Sequence, residues 1–73
     1  MDPNTLETMT KVCLQQIREH LEEATSLAKA AEACAESGNV AQGLRIGLDI
    51  EQLIYEANTL LNAASLLRRL ETT

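Results

Sequence analysis

The sequence predicts an all-α protein: an antiparallel two-helix hairpin that dimerises into a four-helix bundle. Three observations carry this expectation. The chain is rich in Ala, Leu, Glu and Gln and holds one aromatic residue, Tyr55, whereas strands favour β-branched and aromatic side chains. Ser37-Gly38-Asn39 is the only internal turn signal, and no proline follows Pro3. On either side of that turn, apolar residues recur at helical spacing over an unusually broad arc.

Helix 1 is expected over about residues 3–37. Asp2-Pro3 fits a cap followed by proline at the first helical position, and Asn4 with Glu7 forms a competing capping box. Its apolar arc runs through Leu6, Met9, Thr10, Cys13, Leu14, Ile17, His20, Leu21, Ala24, Leu27, Ala28, Ala31, Cys34 and Ala35, broken only by Thr10 and His20. Lys11, Gln15, Arg18, Glu22 and Lys29 fall on the opposite side. The turn occupies 38–39: Gly38 suits the left-handed residue that ends a helix, and Asn39 caps the next, with Gln42 three residues on. Helix 2 is expected over about 40–70, with an arc of Ile46, Gly47, Ile50, Leu53, Ile54, Ala57, Leu60, Leu61, Ala64 and Leu67. The whole chain, 1–73, is then a single hairpin domain.

Each arc spans roughly 160°, wider than the seam of a two-stranded coiled coil. A lone hairpin offers each helix one neighbour, and a chain of 8.0 kDa has little core of its own. The excess apolar surface therefore predicts a second copy, packed about a two-fold axis. The expected dimer core is Ile17, His20, Leu21, Leu27, Ile50, Leu53, Ile54, Leu60 and Leu61. A different helical protein completing a hetero-bundle is the alternative occupant. Side chains shrink toward the turn, where Ala24, Ala28, Ala31 and Ala35 meet Gly43 and Gly47, so close approach is expected there and wider spacing at the termini.

Helix 2 carries a second apolar stripe of Leu44, Leu48, Tyr55 and Leu66. It reads either as ordinary surface leucines or as a partner-binding strip anchored by amphipathic Tyr55.

Charge and motifs exclude much else. Residues 1–38 carry seven acids against three bases, and 39–73 carry four against three. Neither half clusters the Lys and Arg that would neutralise phosphates, so nucleic-acid binding is not expected. No apolar run approaches the ~20 residues that span a bilayer, and the N-terminus lacks a signal-peptide pattern. With two sparse cysteines the expected setting is cytoplasmic, the thiols free on the core arc. No nucleophile–base arrangement or phosphate-binding loop occurs, so neither an enzyme nor a cofactor is expected. A metal site is not expected either: Cys13 lies roughly 10 Å along the helix from His20, and the carboxylates of helix 2 lie off its apolar arc. His20 reads as a structural histidine bonded to Gln16, to Glu23 or to a partner chain. As a pH sensor, its protonation would loosen the dimer seam.

Two local resemblances accompany this reading. Ala30-Ala31-Glu32-Ala33-Cys34-Ala35-Glu36-Ser37-Gly38-Asn39 resembles the helix–turn of a tetratricopeptide repeat, although both helices here are about twice the length that family uses. Arg18-Glu19-His20-Leu21-Glu22-Glu23 resembles the phospho-accepting segment of histidine-kinase dimerisation hairpins, which implies a regulatory phosphotransfer role. The expected inward direction of His20, and Leu21 after it, depart from that family. In architecture alone the hairpin is similar to type III secretion co-chaperones. The function expected from the sequence is a non-enzymatic protein-interaction module: an adaptor, regulator or small chaperone.

Overall fold

The computed structural model describes residues 2–72, so the outermost residues of the expected 1–73 domain lie outside it. Two helices make up the fold, α1 over Pro3–Glu36 and α2 over Val40–Thr72. They pack against each other along their length into a rod measuring 54 × 14 × 11 Å. Among the described residues there is no strand. The boundaries fall within two residues of expectation: α1 stops one residue earlier and α2 runs two further, within ordinary fraying.

The turn forms by the chemistry its residues suggested. Gly38 has φ 101°, a conformation that costs a residue with a Cβ roughly 1–2 kcal/mol. Asn39 N–H donates to Cys34 O at 3.1 Å and Gly38 N–H to Ala35 O at 3.0 Å, closing off the last carbonyls of α1. Asn39 Oδ1 then accepts from the Gln42 amide at 3.1 Å and caps α2. Asp2 does the same for α1 through the Asn4 amide at 3.3 Å. So short a connection leaves only an antiparallel arrangement.

The seam between the helices is narrower than either arc. In α1 the shielded positions are Leu6, Thr10, Cys13, Ile17, His20, Ala24, Leu27, Ala31 and Cys34, alternating steps of four and three, with Ala35 joining near the turn. In α2 the matching series is Gly43, Ile46, Ile50, Leu53, Ala57, Leu60, Ala64, Leu67 and Glu71. This alternation is the seven-residue repeat of a two-stranded coiled coil. Thr10 is tolerated in it because its hydroxyl donates to Leu6 O at 2.9 Å. Cys13 and Cys34 are half-buried free thiols in the seam.

The expected close approach near the turn rests on Gly43 alone. A Cβ there would lie 2.7 Å from Ala31 O and 3.2 Å from Ala35 Cβ. Gly47 plays no such part inside the hairpin, since a Cβ on it would meet nothing within 4 Å. Four residues separate the two glycines, and that step moves Gly47 past the seam onto its flank.

Candidate functional site: an apolar face of the hairpin

Two contacts set the level of one helix against the other. His20 reaches Glu56 across the seam, and Gly43 sits against Ala31 and Ala35. On that register Leu14 lies level with Leu61, Leu21 with Ile54, and Ala28 with Gly47. Each of these six follows immediately after a seam residue that closes a three-residue step: Cys13, His20, Leu27, Ile46, Leu53 and Leu60. In an antiparallel pair, such positions from both helices fall on the same side of the seam.

One broad side of the rod is therefore apolar in successive tiers: Leu14 with Leu61, Leu21 with Ile54, Ala28 with Gly47, then Ala35 with Val40 at the turn. The large members remain wet. Leu14 and Leu61 are each 52% exposed, Ile54 49% and Leu21 43%. An open groove of about 600 Å³ runs along the α1 edge of this face, lined by Leu14, Ile17 and Leu21 on its apolar side and by Arg18, Glu22 and Thr25 on its polar side.

The residues expected to form a dimer core thus divide. Ile17, His20, Leu27, Ile50, Leu53 and Leu60 turn toward the sibling helix and are half-buried in the hairpin's own seam. Leu21, Ile54 and Leu61 turn outward.

The opposite side of the seam is mixed. Gln16, Glu23, Asp49 and Glu56 lie there, each just before a seam residue. His20 Nδ1 is 2.7 Å from the Gln16 carbonyl oxygen, and Nε2 is 2.7 Å from Glu56 Oε2. The histidine's side-chain partner is thus a carboxylate on the other helix of the same chain, not Gln16 or Glu23 side chains. Sequence reading set Glu56 aside because it lies off the main arc. The signal was nonetheless available, since a two-residue turn brings position 56 opposite position 20. Both ring nitrogens are engaged, which disfavours phosphoryl acceptance.

The bond to the Gln16 carbonyl, followed by the Glu56 carboxylate, raises the His20 pKa above 6.5. Glu56 is held below 4.5, first by Gln52 Nε2 donating to its Oε1 at 3.0 Å and then by His20. The sign of the linkage follows from both directions. The histidine's contribution to stability is fully present below its unfolded value near 6.5 and is lost as pH rises through its higher folded value. The glutamate's is present above about 4.5 and is lost as pH falls through its lower folded value. The pair is strongest between those limits. Protonation of His20 therefore tightens the hairpin's own seam, a different interface from the dimer seam at which loosening was expected. Thermal melts across pH 4–9 should show stability declining on the alkaline side of His20's titration. His20→Gln should flatten that limb, and a native profile already flat there would contradict the assignment.

The second stripe of α2 divides as well. Leu48 and Tyr55 are 56% and 67% exposed along the back of the helix, and Leu44, 65% exposed, lies beside them on the edge next to the tiered face. Leu66 leaves them to line a shallow cavity of about 390 Å³ with Met9, Val12, Cys13, Ala63 and Leu67 at the open end. Leu66 stands eighteen positions after Leu48. Supercoiling makes the seven-residue repeat the true period, so over that distance a straight-helix projection misplaces Leu66.

No family model matches the chain, no curated protein is significantly similar to it, and no solved structure matches it. The functional reading therefore stands on surface chemistry. Among the described residues, no group of three His, Cys, Asp or Glu side chains is placed to hold a metal ion, and no helix is long and apolar enough to cross a membrane.

Proposed function

We propose that this chain is a homodimeric helical-bundle interaction module that acts through burial of helix against helix. The observation that carries the reading is the tiered face of Leu14, Leu21, Ile54 and Leu61, half-exposed along one side of a finished hairpin. Burying the remaining half of each such side chain is worth roughly 1 kcal/mol. The tiers from Leu14 to Ala35 run about 32 Å along the rod at 1.5 Å per residue; over its 14 Å width they project roughly 450 Å², the larger part of the ~800 Å² per partner of an ordinary stable interface, with the polar rims left to supply the rest. A second copy presents the same surface and satisfies both at once.

The back strip of Leu48 and Tyr55, with Leu44 at its edge, supports a regulator or small chaperone that docks a further helical protein, because a dimer through the tiered face leaves Leu48 and Tyr55 outside. Light scattering at micromolar concentration should give about 16 kDa, twice the 8.0 kDa chain. A mass of one chain with weakly cooperative helix melting would overturn self-association and favour a hairpin that completes a hetero-bundle. Leu48→Asp with Tyr55→Ala should leave the dimer mass unchanged.

A further inference from the structure

Within the dimer reading above, on which this step rests, we infer that the two hairpins stack tiered face to tiered face with their turns at opposite ends. The two-fold axis then crosses the rod at the level of Leu21 and Ile54. Size points to that arrangement, and the charges of the α1 rim are compatible with it.

The tiers are graded, from Leu14 with Leu61 toward the open end to Ala28 with Gly47 toward the turn. Both tiers lie seven residues from the Leu21–Ile54 tier. Reversal about that level seats each large tier on its partner's small one and places Leu21 and Ile54 at the centre. A Cβ on Gly47 would meet nothing within 4 Å in the hairpin, so room exists there for an incoming leucine. With turns at the same end, Leu14 would face Leu61 of the partner subunit, and Ala28 would face the partner's Gly47. One end would be overfilled and the other left with a void, both of which destabilise a packed layer.

The rim repeats the pattern in charge. Lys11 and Glu32 lie on the same edge of α1, three tiers apart, and their midpoint is again the level of Leu21. Reversal brings Lys11 opposite the partner's Glu32, and by symmetry this happens twice. In the same-end arrangement Glu32 would lie beside the partner's Leu44 and Lys11 beside the partner's Ser65, while Glu7 would face the partner's Arg68, so the size of the tiers and not charge makes the choice. Lys11 is largely exposed and, among the described residues, pairs with Glu7 at 3.4 Å, one turn away, which leaves it within reach of a second carboxylate.

Two measurements separate this orientation from the dimer itself. In unmodified protein, mixed from labelled and unlabelled chains, isotope-filtered NOEs should connect Leu14 methyls to the partner's Ala28. Intermolecular NOEs from Leu14 to the partner's Leu61, without any to Ala28, would overturn the orientation while leaving the dimer standing. Nitroxides on Ser37→Cys, with Cys13 and Cys34 replaced by alanine, should lie about 45–50 Å apart, given 1.5 Å per residue from the axis to each turn. A separation near 20 Å would place the turns together and overturn the orientation. A monomeric mass with no intermolecular NOE would overturn the dimer and this inference with it. Lys11→Glu should weaken dimerisation about threefold or more, with Glu32→Lys added to it restoring affinity; failure of the double swap to restore it would count against the opposed rims.

Discussion

Gly43→Val is expected to lower the melting temperature of this protein by about 2–20 °C. At Gly43 the α2 backbone lies close against that of α1. A Cβ built there stands 2.7 Å from the carbonyl oxygen of Ala31 and 3.2 Å from both Cβ and N of Ala35. Two of those three atoms belong to the α1 backbone and cannot swing aside as the end of a flexible side chain could. Valine adds a branch at that same carbon, with one strongly preferred rotamer in a helix. The helices must therefore separate near the turn, where Gly38 and Asn39 already fix the connection by hydrogen bonds to Cys34 and Ala35. Overpacking of this kind costs about 1–3 kcal/mol, partly offset by the several tenths that valine gains over glycine in helix propensity. For a chain of 73 residues each kcal/mol moves the midpoint by about 4–8 °C. Gly47→Ala provides the contrast. Its new methyl meets nothing inside the hairpin, and the helix gains up to about 1 kcal/mol. Circular dichroism melts of the two variants check the assignment; a Gly43→Val protein as stable as the parent would show that the helices do not approach closely at that point.

The different behaviour of the two glycines illustrates what the sequence could and could not convey. Local signals were legible because they act over a few residues: Pro3 after Asp2, Gly38 at positive φ and Asn39 as a cap each do the job their chemistry suggested. The existence of the hairpin was legible for the same reason. Which part of each broad arc turns toward the sibling helix was not. Leu14 and Ile17, or Leu53 and Ile54, are equally apolar, and burial alone ranks them the same. The choice is made by the four-and-three alternation that runs unbroken through both helices, and by Gly43, which admits close contact on only one line. Once that seam is chosen, Leu21, Ile54 and Leu61 must face outward, and Glu56 must come beside His20. The wide arcs are thus two surfaces side by side, one spent inside the hairpin and one left on its flank.

That flank is the basis for the second large effect. Leu21→Glu combined with Ile54→Glu is expected to weaken self-association by at least 100-fold while leaving the hairpin's own seam intact. Both side chains are close to half exposed within the hairpin, so a glutamate at either position can keep its carboxylate in water as long as the chain is alone. Glutamate is also a better helix former than isoleucine and close to leucine, which removes propensity as a cause of any loss. In the dimer the same positions occupy the central tier, and two chains bring four carboxylates to it. Losing the apolar contacts removes roughly 1 kcal/mol for each of the four side chains. Burying the carboxylates, or holding like charges together, adds a further cost of several kcal/mol unless they protonate. Even the burial part alone corresponds to a loss of more than 100-fold, at about 1.4 kcal/mol per tenfold. Sedimentation across nanomolar to high micromolar concentration reads the dissociation constant directly. The pH profile of His20 and Glu56, on the other side of the seam, reports whether the hairpin survives. A variant that keeps the two-chain mass, or one that loses the His20 titration together with its helix signal, would show that the tiered face is not a separable dimer surface.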